Sequence, residues 1–153
     1  MEIKLTLALP SDELSVPVVR RVLRGAMQVL GVRADLISDI ELALTEAVTN
    51  VLEHADGHEE YEVSAGIDDQ RCVIEVTDRG SGFQGEHHGL AEAEQSAESG
   101  RGIQLMRALV DKVQFAPKSA DGTVVRLEKA LTFDEQSAVR RFAGQVGGDV
   151  PRR

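Results

Sequence analysis

The chain has 153 residues, with 26 acidic against 17 basic side chains and a formal charge of -9. That balance argues against nucleic acid or an anionic membrane as the main partner, since both attract basic surfaces. The length suits one domain, read here as residues 1–145 with 146–153 as a disordered tail, and the single Cys72 excludes an intrachain disulfide framework and points to a reducing compartment.

Aromatic residues are only 3% of the chain, so the core must be built largely from Leu, Val, Ile and Ala. The first residues lack a basic segment followed by a long apolar run, and no stretch approaches a membrane span. The expectation is a soluble, cytoplasmic protein.

Ile3, Leu5, Leu7 and Leu9 alternate with Lys4, Thr6 and Ala8, which predicts a half-buried strand ended by Pro10. Ser11 and Asp12 are capping types, and helical spacing then runs from Leu14 to Leu30, closing at Gly31. A longer helix is expected from Asp35 to His54. Its apolar stripe is Leu36, Ile40, Leu44, Ala47, Val48 and Val51. Strands follow at Tyr61–Ile67 and Arg71–Thr77, joined by a turn at Asp68-Asp69-Gln70. Asp78 to Ser99 is rich in Gly, Ser and Glu, and is too long for an ordinary connection, so it reads as a loop. Helical spacing resumes from Arg101 to Lys112. Short strands are expected at Val113–Phe115 and Thr123–Leu131, and a final helix at Phe133–Gln145. Strands grouped with helices on one side imply an α+β two-layer sandwich.

Three segments carry candidate chemistry. Glu46, Asn50 and His54 stand at intervals of four on the long helix, so they share one face about a turn apart. Asn50 can offer an oxygen to Mg²⁺, which takes few protein ligands, and Glu46 can accept a hydroxyl proton. The bland alternative is a solvated polar face. Asp78-Arg-Gly80-Ser-Gly82 follows a buried strand. There a carboxylate can accept from an exocyclic amine such as that of adenine, while glycines let a flat base approach the backbone. A plain strand-exit turn is the competing reading. Ser99-Gly100-Arg101-Gly102-Ile103 opens a helix and exposes unpaired N–H groups to an anion, with Arg101 adding charge. No Walker loop or dinucleotide fingerprint is present.

Taken in order, these segments resemble the nucleotide site of the GHKL superfamily, the ATPase fold shared by gyrase and histidine kinases. Glu46, Asn50 and His54 match its helical box. Asp78, Gly80 and Gly82 match the adenine box; Gly100, Arg101 and Gly102 match the phosphate box, with Ile103 following; Gly122-Thr123 matches the last box. The resemblance implies the Bergerat-type fold, a mixed but mainly antiparallel sheet with helices on one face. It also implies ATP and Mg²⁺ as cofactors, with Asn50 as the metal ligand.

Within the superfamily, E-L-A-L-T-E-A-V-T-N-V-L-E-H-A and G-R-G-I-Q-L-M-R-A-L-V-D-K-V are similar to the anti-sigma-factor serine kinases of the partner-switching type. That likeness implies a homodimer that binds a sigma factor and phosphorylates a STAS-type anti-sigma-factor antagonist on Ser or Thr, with Glu46 as the base. A non-catalytic nucleotide-binding switch is the alternative, and a detached histidine-kinase domain a third. His87 and His88 match no family role, and His54 is read first as a helix-end residue.

Overall fold

The computed structural model describes residues 1–54, 60–78, 91–92, 100–119 and 122–141. In chain order it holds strand β1 (Glu2–Pro10), helices α1 (Ser15–Leu30) and α2 (Ala34–His54), and strands β2 (Glu60–Asp68), β3 (Arg71–Asp78) and β4 (Ala91–Glu92). Helix α3 (Gly100–Leu109) and strands β5 (Lys112–Ser119) and β6 (Gly122–Ala130) follow. The strands form one sheet in the order β1-β2-β3-β6-β5-β4. Every described pairing is antiparallel, so the parallel component allowed for in a mixed sheet is absent from the described residues.

Alternation along the strands decides which face is covered. Opposed pairs such as Leu7 with Val63, Ala65 with Ile74, and Val76 with Val125 put their side chains on one face of the sheet. That face carries the helices. The opposite face bears Lys4, Ser64, Glu75 and Arg126 and is open to solvent apart from the groove between them. Its charges neutralise one another through Arg126–Glu75 and Arg71–Glu128, both at 2.8 Å.

Helix α2 is the central element, touching β3, β6, α1 and α3. Ala43, Leu44, Ala47, Val48 and Val51 are fully buried. Ile37 is buried beside them, whereas Leu36, expected in the stripe, is only half-buried. Helix α1 begins where Asp12 caps the chain: Asp12 Oδ1 accepts from the Leu14 N–H at 2.9 Å, and its carbonyl accepts from the Ser15 N–H and hydroxyl. The Ser15 hydroxyl also bonds the buried Tyr61 hydroxyl at 2.5 Å, pinning the start of α1 to β2. The β2–β3 turn closes as expected, with Asp68 Oδ1 accepting from the N–H groups of Gln70 and Arg71.

Three expectations need correction. β5 is eight residues long instead of three, because pairing with β6 carries it through Pro117; the register shifts between Ala116 and Ser119, which takes up a residue that cannot donate to the ladder. A short strand, β4, lies inside the segment read as loop and pairs with β5. Phe133, placed at the start of a final helix, instead bridges to Val32, and helical backbone begins only at 138. Ser137 accepts from the Arg140 N–H there, as an N-cap should. The expected tail at 146–153 lies outside the described residues.

Gly31 closes α1 with φ 80 and donates its N–H to the Gln28 carbonyl. A Cβ at this position would stand 2.5 Å from Ser137 Cβ and 2.9 Å from its Cα. Gly31→Ala therefore combines left-handed strain with a backbone clash and should cost about 2–4 kcal/mol. Urea unfolding measures it; a loss below about 1 kcal/mol would contradict the contact.

Burial pushes the Cys72 thiol up to about 12, with the Asp68 carboxylate adding to the effect. The raised value favours the folded state fully below the ordinary thiol value, and the advantage disappears as pH climbs toward 12. Iodoacetamide at pH 8 should thus label Cys72 only at the rate of unfolding. Fast labelling of the native protein, followed by mass spectrometry, would show the thiol to be accessible.

Candidate nucleotide and phosphoryl-transfer site

The ends of four elements converge, and the direction of α2 is the reason. Asp39, near its start, reaches Lys129 at the far end of β6 at 3.9 Å. From that anchor α2 and β6 both lead toward the same end of the sheet, α2 forwards through Glu46 and Asn50 and β6 backwards to Thr123. Strand β3 finishes at the same end with Asp78, since Thr77 opposes Val124.

Asp78 is 1% exposed, and its Oδ1 accepts from the Thr123 N–H at 2.8 Å. One carboxylate oxygen is thereby committed to holding β3 and β6 together at their ends. The Thr123 hydroxyl is buried and has no hydrogen-bond partner. Buried hydroxyls are nearly always bonded, so an unsatisfied one beside a buried carboxylate suits a polar ligand edge such as an aminopurine with its attendant water. This observation fits the adenine role implied by resemblance.

The catalytic candidates sit on the exposed edge of α2. Glu46 and Asn50 are both half-buried, one turn apart. Glu46 lies against the first turn of α3: a Cβ added to Gly102 would stand 3.2 Å from Glu46 Oε2. The glycine that sequence reading assigned to phosphate binding thus also makes room for the carboxylate. This role was invisible in the sequence because it depends on how closely α2 and α3 pack. Gly100 begins α3, and Arg101 is exposed beside it. Ile103 belongs to the hydrophobic core, so a ligand here could use only its backbone N–H. The first turn of α3 contains no acidic residue to compete with an anion.

Glu46, Gly102 and the rest of the α3 start are therefore brought together, and Asp78 and Thr123 form a second cluster at the same end of the sheet. Gly80, Gly82, His87 and His88 lie outside the described residues, as does the side chain of His54. Among the described residues no cluster of three or more His, Cys, Asp or Glu side chains could hold a metal.

The sequence profile of the histidine kinase-like ATPase domain matches residues 9–129. The chain belongs to that family. The match runs from the end of β1 to the end of β6 and so covers every element of the candidate site. Among curated proteins, the serine-protein kinase RsbW of Halalkalibacterium halodurans is 33% identical over 138 residues, 84% of each chain. That of Bacillus velezensis is 31% identical over 134 residues, covering 80% of this chain and 82% of its own, and that of Bacillus subtilis is 28% identical over 147 residues. These relatives place this histidine kinase-like ATPase among the RsbW-type anti-sigma-factor kinases. The crystal structure of the RsbU and RsbW domains of Rv1364c from Mycobacterium tuberculosis superposes with a TM-score of 0.64 at 24% identity, over 84% of this chain and 32% of that one. That likeness establishes a shared fold. No described helix is long and apolar enough to cross a membrane.

Truncating the Asp78 carboxylate would leave the Thr123 N–H buried without an acceptor. Asp78→Ala should cost about 1–3 kcal/mol in urea unfolding, and Asp78→Asn, which retains an oxygen, clearly less. Equal losses would mean that the bond to Thr123 is not what holds the two strand ends.

Proposed function

We propose that this protein is an ATP-dependent serine/threonine kinase and anti-sigma factor of the cytoplasm. In this reading it binds a sigma factor and phosphorylates a STAS-type antagonist of that interaction on Ser or Thr. The observation that carries the proposal is the contact between the Glu46 carboxylate and Gly102, because it sets a proton acceptor beside a helix start suited to phosphate. A polar face that was merely solvated would have no reason to stand against a glycine at that position.

Each residue then has a task. Asp78, with Thr123 beside it, accepts from the adenine amine and orients the base. Gly80 and Gly82 let the base approach the backbone. Gly100, Arg101 and Gly102, with the Ile103 N–H, surround the phosphates at the start of α3. Asn50 offers its side-chain oxygen to Mg²⁺, which when bound neutralises charge on the phosphates. Glu46 accepts the proton of the acceptor hydroxyl as its oxygen bonds to the γ-phosphorus and ADP departs with the electrons of the broken bond. Positioning and charge neutralisation account for most of the rate in such a site.

Glu46→Ala tests the assignment. With labelled Mg-ATP and the antagonist as acceptor, transfer should fall about 10²–10⁴-fold while calorimetry finds ATP binding intact. An antagonist left unlabelled by the wild-type protein, with ATP still bound, would refute the kinase reading in favour of a non-catalytic nucleotide switch.

A further inference from the structure

Any protein that delivers a hydroxyl to Glu46 must lie on the surface around that residue. Helix α2 touches α1 on one flank and α3 on the other, with α1 over β1 and α3 over β5. The outward line of α2 is therefore the floor between two ridges. Ser38, Leu42, Thr45 and Thr49 form this line, since steps of three and four return to the same side of a helix. No charged residue stands on it between Asp35 and Glu53. The Ser38 and Thr45 hydroxyls donate to the Ala34 and Glu41 carbonyls at 3.1 and 2.9 Å, so neither needs a partner's hydrogen bond.

The ridge on the α3 side is apolar as well. Glu46 meets the start of α3 at Gly102, and α3 then leads to Lys112, which pairs with Glu128. That is the end of the sheet where α2 begins, because Asp39 reaches Lys129 there. The two helices are thus antiparallel, and residues after Gly102 pass residues before Glu46. Leu105 comes alongside Leu42 in this way. Leu42 is 44% exposed, and Leu105 is half-buried without joining the hydrophobic core. Ala108, a turn further along α3, is exposed. An aliphatic patch therefore begins at Leu42, four residues and about 6 Å along the helix axis from Glu46.

The exposed valines of α1 have no such position. Val18, Val22 and Val29 lie on a flank that turns away from α2. Arg24, which reaches Glu41 on α2 at 3.0 Å, stands roughly 160° around the helix from Val22. Nothing among the described residues shows what covers that flank.

We propose that the α2–α3 seam around Leu42 and Leu105 is the docking surface for the phosphoacceptor protein, where it receives an aliphatic side chain held about 6 Å from the acceptor hydroxyl. This docking role rests on Glu46 acting as the base in the function proposed above, and it adds the chemistry by which the acceptor is chosen. The spacing converts to sequence. In an extended acceptor segment, at about 3.3 Å per residue, the aliphatic residue lies two positions from the Ser or Thr. On a helix it lies four positions away. A charged residue there would be desolvated against leucine without a partner, so the seam selects against it. The sigma factor, in the proposed function, delivers no hydroxyl to Glu46. The acceptor is the occupant.

Steady-state transfer from Mg-ATP to the STAS-type antagonist tests the dock. Leu42→Gln and Ala108→Gln keep helix-forming side chains at exposed positions and place no charge near Glu46. Each should raise KM for the antagonist at least about fivefold, with kcat and calorimetric ATP affinity within about twofold of wild type. Benzoylphenylalanine in place of Leu42, irradiated with antagonist and sigma factor together, should cross-link the antagonist within about four residues of its phosphorylated Ser or Thr. An unchanged KM in both variants, or a cross-link to the sigma factor alone, would overturn the dock, while labelling by the wild type leaves the kinase reading standing. A fall in kcat at constant KM would also overturn it, by assigning Leu42 to the chemical step. No labelling by the wild type would remove both readings together.

Discussion

The packing of α2 across the centre of the sheet is the constraint from which the remaining features follow. Ala43, Leu44, Ala47, Val48 and Val51 are completely buried, and each large apolar side chain so buried stabilises the fold by about 1.5–3 kcal/mol. That stripe fixes the rotation of the helix about its axis. Once the rotation is set, Glu46 and Asn50 must emerge along the edge facing α3. The helix direction, anchored by Asp39 against Lys129, brings them to the sheet end where Asp78 and Thr123 meet. Stability and site geometry therefore depend on the same residues.

The site shows a division of labour between committed and available groups. Asp78 commits one oxygen to the Thr123 N–H, which rigidifies the join between β3 and β6, and under the proposed function the other would meet the base. Under the proposed function Gly102 would combine two roles: its missing side chain admits the Glu46 carboxylate and would leave the backbone open to an anion. Such economy explains why single residues at the start of α3 would be intolerant of change for more than one reason. The open face of the sheet lacks this character, because its arginines and carboxylates are already paired with one another.

Much of this was legible beforehand. Alternation located β1, β2 and β3, and helical spacing located α1, α2 and α3 to within a few residues. The order of the polar segments, helix then strand end then glycine-rich helix start, points to a nucleotide site. The failures were at positions where a distant partner overrode a local signal. Pro117 appeared to forbid a long β5, but β6 supplied a register shift that accommodates it. Phe133 appeared helical, but Val32 offered it a bridge. Leu36 matched the apolar stripe, yet Ile37 is the residue that turns inward.

The exposed valines of α1 had the same status in the sequence as core residues, because periodicity reports which positions are apolar and not which of them are covered. Their exposure became evident only once α2 and β1 were in place. The sequence by itself determined the fold class, the helical and strand stretches and the residue types able to bind nucleotide, since these depend on local spacing and side-chain chemistry. Only the tertiary structure decided that Glu46 stands against Gly102, that Asp78 holds Thr123, and that one apolar flank remains open, because each depends on where segments remote in the chain come to lie.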